Sequence, residues 1–172
     1  MNYPKIHIEL VPKTCWFSNV RSQVSKANWD TIRKNAYAKA NHKCEVCFSK
    51  RRLEAHEIWH YDDKKLTQTL FGITAVCKSC HELHHLGYTS LKGNFPKAMY
   101  WLSKVNGWTP EETKEYVDIV FEIWYQRSQK NWTLNLHFLD KNGISYSSIT
   151  PKDRQKFAEK NLNLNTKDID LD

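Results

Sequence analysis

Residues 44–87 decide how the rest of this chain can fold: CEVCFSKRRLEAHEIWHYDDKKLTQTLFGITAVCKSCHELHHLG. The stretch contains two Cys-x-x-Cys pairs, Cys44 with Cys47 and Cys77 with Cys80. A gap of two residues lets both thiolates of a pair face one ion from a tight turn, and four thiolates complete a tetrahedral zinc shell. The spacing therefore predicts a structural zinc site; the alternative is four unrelated buried cysteines.

Histidines form a second pattern in the same stretch. His81 directly follows the last cysteine and His85 lies four residues further on, so both share one face if residues 79–86 are helical. His56 lies between the two cysteine pairs in LEAHEIW, whose composition is typical of a strand. These three imidazoles can converge on a second metal ion, whereas His84 is interpreted as a surface residue or a substrate contact.

The order of these motifs resembles that of HNH endonucleases, also called ββα-metal nucleases. The resemblance covers Lys43 to Gly87, about a quarter of the chain. It implies an α+β fold in which a small ββα-metal core surrounds a four-cysteine zinc and is elaborated by helices and short strands. In that family His56 would bind the catalytic metal and Glu57 would occupy the position of the general base. The helix ligands would be His81 and His85.

Two positions depart from the family pattern. Glu57 replaces a histidine, and a carboxylate with an unperturbed pKa of about 4.3 is a weak base unless burial raises that pKa. His60 is the other candidate base, but it would point to the opposite face of a regular strand from Glu57 and reach the site only through a bend or bulge. Gly72 stands where the family usually carries an asparagine.

The charge balance favours an acidic partner. Among 172 residues, 26 Lys and Arg exceed 19 Asp and Glu, which gives a net charge of +7 and points most simply to nucleic acid. The alternative is a basic surface without a specific partner. Five cations are the predicted nucleic-acid contacts, three beside the predicted metal strand and two on the preceding helix: Lys50, Arg51, Arg52, Arg33 and Lys34. For the last two, a solvated helix face explains the pattern equally well.

Cysteine usage and hydropathy predict the compartment. Four of five cysteines lie in metal-binding pairs, which fits a reducing cytosol, and Cys15 is predicted to be buried. The start of the chain does not resemble a signal peptide, and no apolar run approaches the ~18 residues of a membrane span. We therefore expect a cytoplasmic protein that does not enter a membrane.

Four segments are predicted along the chain. Residues 1–42 form an N-terminal strand, at 5–11, and a helix from Trp29 to about Ala40 capped by Asn28; residues 43–90 form the HNH-like core. Residues 91–150 form a helical and β extension, and residues 151–172 a polar tail.

Several local signals mark the ends of elements. Gly87 is predicted to end the metal-binding helix, with a loop over residues 86–95. A capping box at Thr109 opens a helix that runs to about Gln129. Residues 132–139 are predicted to form a strand followed by a turn at 141–143.

The sequence thus predicts a metal-dependent HNH-type endonuclease, of the kind found in phages and bacteria, that hydrolyses phosphodiester bonds in DNA rather than RNA. Its catalytic divalent ion would be Mg²⁺, Mn²⁺, Ni²⁺, Co²⁺ or Zn²⁺, in addition to the structural Zn²⁺. The alternative is a non-catalytic, zinc-stabilised module that binds nucleic acid or a protein partner, including a phage-encoded inhibitor of a host defence complex. Oligomeric state stays open.

Overall fold

A computed structural model describes residues 4–16 and 19–147, so the predicted tail at 151–172 lies outside the described residues. The described helices and strands run in this order: α1 (Val20–Gln23), α2 (Lys26–Lys39), β1 (Leu53–Asp62), β2 (Thr67–Cys77), α3 (Lys78–His84), α4 (Leu86–Leu91), α5 (Phe95–Asn106), α6 (Pro110–Ser128), β3 (Thr133–Asn135) and α7 (His137–Lys141). Helices and strands are therefore mixed, in agreement with an α+β class, and a short 3₁₀ turn at Lys13–Cys15 precedes α1. No helix in these ranges is both long and apolar enough to cross a bilayer.

A long hairpin organises the sheet. β1 and β2 pair antiparallel, β3 adds to β2 in parallel, and the order β1-β2-β3 leaves β1 as an edge strand. The Asp62 carboxylate starts the hairpin turn, because its Oδ1 accepts the backbone N–H groups of Lys64 and Lys65 at 3.0 and 2.9 Å. The pairing register shifts between Ile58 and Trp59 of β1, which makes a β-bulge.

The two faces of the hairpin are covered by different helices. Side chains alternate along β1, so Glu54 and His56 share one face, which packs against α3 and is here called the α3 face. Glu57 and Trp59 occupy the opposite face, here called the α2 face, where Trp59 shares a buried cluster with Ile32 of α2. A second buried cluster unites α3, α5 and α6 with the N-terminal segment. This division decides which polar residues of β1 can meet the helix histidines.

The predicted strand at residues 5–11 is wrong. Ile6 and Ile8 are buried as the alternation requires, yet the segment has no strand partner in the described chain. Side chains satisfy its backbone instead: the Ile8 amide donates to the Tyr116 hydroxyl at 2.8 Å, and Asn106 Oδ1 accepts the Lys5 amide at 2.8 Å. The alternation of apolar and polar residues predicts that one side of the segment is buried, but it does not predict which groups form hydrogen bonds with the backbone.

Two helix starts test the capping signals. The box at Thr109 is confirmed, since its hydroxyl accepts the Glu112 amide at 3.2 Å and Glu112 Oε2 accepts the Thr109 amide at 2.9 Å. α2, however, begins at Lys26 and is capped by Ser25 rather than by Asn28. The Ser25 side chain accepts the Asn28 amide at 3.1 Å, so the helix starts three residues earlier than predicted.

Three predictions of loops and strands need correction. Gly87 does not end the metal-binding helix: α3 ends at His84, and Gly87 lies within α4, where a loop was predicted. Only residues 133–135 of the predicted strand 132–139 pair with β2. The Asn135 side chain then accepts the His137 amide at 2.9 Å and the chain enters α7, which buries Leu139. Apolar residues spaced three apart are therefore buried by a helix there, although the short alternating pattern predicts a strand.

Candidate metal centres and basic cavity

The four paired cysteines converge at one point, here called the cysteine site. The sulfur atoms of Cys44, Cys47, Cys77 and Cys80 all lie within 4.8 Å of one another, and none forms a disulfide. The Sγ atoms of Cys47 and Cys77 are 3.6 Å apart. Two thiolates on one tetrahedral zinc, with Zn–S bonds of about 2.3 Å, are about 3.8 Å apart. The four thiols can therefore hold a structural metal ion such as zinc.

Hydrogen bonds favour the thiolate form of Cys44, whereas burial raises the pKa of Cys77 and the contact with Cys44 raises the pKa of Cys80. The Cys80 thiol and backbone amides hold the pKa of Cys44 well below its usual range. The indole Nε1 of Trp101 donates to Cys80 Sγ at 3.4 Å, and the Cys47 amide donates to Cys44 Sγ at 3.5 Å. These donors stabilise negative charge on sulfur, the form that binds metal.

The cysteine site also fixes the start of α3. Cys77 is the last residue of β2 and the N-cap of α3, and Cys80 lies in the first turn of that helix. Because His81 is the next residue, an ion held by the cysteines sets the position of the first helix histidine.

Three imidazoles meet on the α3 face and are here called the histidine site. Ligand atoms of His56, His81 and His85 all lie within 4.8 Å of one another. The Nε2 atoms of His81 and His85 are 3.2 Å apart. Two nitrogens bound to one tetrahedral ion at 2.0–2.1 Å are about 3.3 Å apart. The spacing thus suits a shared ion, and the structure brings together the three predicted ligands.

The helix contributes its two ligands differently from the prediction. His81 lies inside α3, whereas His85 is the residue after its end, with φ −106° and ψ 38°. The His85 amide still donates to the His81 carbonyl at 3.3 Å, so the two side chains remain one turn apart. The predicted helix over 79–86 therefore ends early without separating the pair.

Two of the ligands are neutral at pH 7, because the pKa of each is lowered. Desolvation, followed by the neighbouring histidines, lowers the pKa of His85 to about 4 and holds the pKa of His56 far below its usual range. A neutral imidazole keeps the lone pair that coordinates metal, so these ligands need not lose a proton at pH 7.

Glu54 is a site residue that sequence reasoning missed. Its Oε2 lies 2.6 Å from Nδ1 of His81. A carboxylate on Nδ1 fixes the tautomer and the ring orientation, and it leaves Nε2 free to bind metal. The signal was present in the sequence, because Glu54 lies two residues before His56 and a strand of period two places both on one face.

His84 was predicted to be a surface residue or a substrate contact, and the surface alternative is wrong. Its ring stacks on that of His56, with centroids 4.1 Å apart and an angle of 14° between the planes. Burial lowers the pKa of His84 to about 3, and its buried Nε2 has no hydrogen-bond partner in the described structure. His84 therefore supports one wall of the histidine site by packing.

The structure does not bring Glu57 to the histidine site. Its Oε1 accepts the Val20 amide at 2.5 Å and its Oε2 accepts Trp59 Nε1 at 3.1 Å, both on the α2 face. Burial raises the pKa of Glu57 to about 7, a value that suits a general base near neutral pH. Geometry nevertheless directs the carboxylate at the start of α1 and away from the imidazoles.

His60 also stays apart from the three ligands. It is exposed and pairs with Thr69 on the far side of the bulge. Four residues of strand separate it from His56, a distance of about 13 Å. The bulge places its extra residue, Phe71, on β2 and does not carry His60 back to the histidine site.

Four of the five predicted nucleic-acid contacts line one cavity of about 470 Å³, here called the basic cavity. Its lining residues are Arg33, Tyr37, His42, Lys50, Arg51, Arg52 and Leu53. The fifth predicted contact, Lys34, is exposed on α2 outside this lining. Residues from α2 and from the segment after the first cysteine pair thus form one cationic surface.

No protein-family model, curated protein or solved structure matches this chain. The candidate sites are therefore defined by the positions and the chemistry of their own residues.

Proposed function

We propose that this protein is a metal-dependent endonuclease of HNH type that hydrolyses phosphodiester bonds in nucleic acid, with DNA as the expected substrate. The observation that carries the proposal is the convergence of His56, His81 and His85 within 4.8 Å. A β-hairpin supplies the first ligand, the helix that follows it supplies His81, and the residue after that helix supplies His85. This order of elements, with the cysteine site beside it, is the order that the sequence resemblance implies and supports the proposal.

The chain's own residues have distinct parts in the proposed reaction. Three imidazoles would hold the ion, and the Glu54 carboxylate favours the His81 tautomer that carries its hydrogen on Nδ1 and leaves Nε2 for a metal. When bound there, a divalent ion supplies Lewis-acid stabilisation of the phosphate and lowers the pKa of water. Cations of the basic cavity hold the nucleic-acid backbone nearby.

The ligand chemistry narrows the choice of metal. Imidazole nitrogen suits Zn²⁺, Ni²⁺ and Co²⁺, whereas Mg²⁺ prefers carboxylate and water oxygens. The three ligands are imidazoles, and the nearby Glu54 carboxylate is engaged with His81. We therefore expect the strongest activity with transition metals and the weakest with Mg²⁺.

Glu57 has no proton-transfer step in this proposal. A base must first lie within reach of the proton it removes, and only then does its pKa matter. The Glu57 carboxylate contacts Val20 and Trp59 on the other side of the sheet. Its role in this proposal is to anchor α1 to the hairpin.

The test is cleavage of plasmid and single-stranded DNA with each of the five metals in turn. We expect His81→Ala to lose at least ~100-fold in rate, because even residues that only orient metal ligands are worth 10–100-fold. The matched control is His137→Ala, since His137 is 62% exposed and lies in α7. Glu57→Gln should retain cleavage, and equal rates for His81→Ala and His137→Ala would contradict the proposal.

The placement of Glu57 favours a second candidate, a zinc-stabilised binding module without turnover. In that case no metal supports cutting, although the protein stays folded and retains one zinc. Nucleic-acid binding would then persist in His81→Ala at the strength of the unmutated chain. If nucleic-acid binding were also absent, capture of a defined host defence complex by the purified protein would test the inhibitor role.

A further inference from the structure

We propose that the basic cavity binds one unpaired nucleotide, with its phosphate on the arginines and its base against Tyr37 and His42. The inference rests on the proposed nucleic-acid partner but not on cleavage. It deepens the proposed function, because it selects single-stranded or splayed nucleic acid rather than an intact duplex.

Charge is the first observation. Four of the seven lining residues are cations: Arg33, Lys50, Arg51 and Arg52. No acidic residue is among the described residues that line the cavity. The Nε of Arg33 donates to Asp30 Oδ1 at 2.7 Å, so a carboxylate outside the lining orients this guanidinium at the cavity. Such a concentration of cations fits the phosphate of a nucleotide.

Size and aromatic content distinguish a nucleotide from a bare phosphate. The cavity volume of about 470 Å³ lies in the ~300–1,000 Å³ range of small-molecule sites. Tyr37 lies four residues after Arg33 on α2, so the ring and the guanidinium stand on one helix face. Single-stranded nucleic acid is commonly held by this pairing of a cation with a stacking ring.

The second ring, that of His42, is held by a backbone conformation that is unusual for a residue other than glycine. Asn41 and His42 are both left-handed, with φ of 51° and 54°. Non-glycine residues rarely adopt this conformation, and such strain concentrates at ligand-binding segments. The His42 amide donates to the Tyr37 carbonyl at 2.9 Å, which holds the His42 residue beside α2. Cys44, two residues further on, ties this turn to the cysteine site.

The cavity has a fixed relation to the histidine site. Leu53 lines the cavity and begins β1, and His56 follows three residues later, about 10 Å along the strand. Helix α2 lies on one side of β1 and α3 on the other, and β1 is the edge strand. A nucleic-acid strand that crosses this free edge can place one nucleotide in the cavity and a neighbouring phosphate at the imidazoles.

The experiment measures binding in His81→Ala without added divalent metal, so the result does not depend on cleavage. Fluorescence anisotropy follows a labelled 12-nucleotide single strand and the matching duplex. We expect Tyr37→Leu to weaken single-strand binding about tenfold, whereas Tyr37→Phe, which keeps the ring, changes it less than about threefold. Duplex binding should be the same in both variants.

Two charge variants provide the comparison within α2. Arg33→Ala should weaken single-strand binding about tenfold, whereas the exposed Lys39→Ala should change it about twofold at most. Equal losses for the two variants, together with no effect of Tyr37→Leu, would mean a diffuse electrostatic surface and would overturn the proposal.

Competition and crosslinking complete the test. Displacement of the strand by free dAMP, but not by inorganic phosphate at the same concentration, would support a nucleotide site open to free nucleotides. Displacement by unlabelled strands alone would assign the site to a nucleotide within a strand. If Tyr37→Leu does not fold, photocrosslinking of a 5-iodouracil strand to the unmutated residue replaces it. Crosslinks confined to residues outside 33–53 would contradict the proposal.

Discussion

The two candidate metal centres share one helix but differ in almost every other respect. The cysteine site has four ligands, three of them buried, and it offers no position for a substrate. The histidine site has three ligands, of which His85 is exposed, and Glu54 orients one of them. The comparison teaches that a closed shell suits a structural role, whereas an open shell with an orienting carboxylate suits chemistry.

α3 links the two centres. Cys80 and His81 are adjacent in its first turns, so loss of the cysteine site should disturb the histidine site. The reverse coupling should be weak, because His85 and the open side of the histidine site face solvent. The following predictions test this asymmetry.

The largest expected effect follows Cys80→Ser. Structural zinc supplies about 10 kcal/mol or more of folding free energy in small domains, so the variant should lose zinc and cooperative unfolding together. Zinc content by elemental analysis and thermal unfolding by circular dichroism check this. Cys15→Ala is the matched control, since Cys15 is buried but lies outside the cysteine site, and it should retain zinc. A Cys80→Ser variant that is stable without zinc would contradict the structural role of the cysteine site.

His81→Ala should have the opposite effect to Cys80→Ser: it should remove metal binding at the histidine site and leave the cysteine site intact. The variant should retain its structural zinc and lose no more than about 2 kcal/mol of unfolding free energy, because the substitution removes one partly buried side chain and leaves the four cysteines in place. Its affinity for an added transition metal should fall below the range of calorimetric titration. A stability loss as large as that of Cys80→Ser would show that the histidine site is structural as well.

Glu54→Gln should produce an intermediate effect on the histidine site alone. Loss of an orienting carboxylate typically lowers metal affinity 10–100-fold, and we expect that range for Ni²⁺ in an isothermal titration. Glu82→Gln is the control, since it neutralises a carboxylate of α3 and leaves the Glu54 contact with His81 in place. Equal affinities in the two variants would argue against the orienting role.

Glu57 should make a contribution of about 1 kcal/mol to the pH dependence of the free energy of unfolding. Its folded pKa, about 7, is raised above the unfolded value, so the folded state retains a proton that the unfolded chain has lost. Stability from this group therefore falls as pH rises from about 4.5 to 7 and is constant above that range. The buried histidines have lowered pKa values and change stability in the opposite direction over the same range. Chemical unfolding at pH 6 and 8 is therefore compared between the two proteins, and from pH 6 to pH 8 the unmutated chain should lose about 1 kcal/mol relative to Glu57→Gln. An equal slope in both proteins would exclude this proton as its cause.

The smallest expected effect concerns Trp101. Trp101→Phe removes the indole N–H that donates to Cys80 Sγ and keeps an aromatic ring in the cluster, so the expected loss is about 1 kcal/mol. Transfer of zinc to a competing chelator should be several-fold faster. Trp108→Phe is the control, because Trp108 is buried and its Nε1 has no partner in the described structure.

The sequence predicted the ligands better than their surroundings. Cysteine spacing identified the cysteine site, and the spacing of His81 and His85 on a helix identified one edge of the histidine site. Period-two alternation also separates Glu57 from His56, and the family resemblance obscured this simple consequence. The Glu54 contact follows from the same alternation once α3 is known to cover that face.

Other features depend on long-range packing that local patterns do not encode. The segment at 5–11 has no strand partner within the described residues, because Asn106 and Tyr116, about a hundred residues away, accept hydrogen bonds from its amides. The basic cavity unites α2 with residues 42–53 across the first cysteine pair. Charge predicted its cations, but the sequence did not place Tyr37 and His42 among them.

The most direct measurement is a count of bound metal by native mass spectrometry during titration with Ni²⁺. The unmutated protein should carry one zinc that resists exchange and one further ion that exchanges. His81→Ala should carry the zinc alone at the same Ni²⁺ concentration. A single ion in both proteins under excess metal, or two ions in both, would contradict the existence of two centres with different roles.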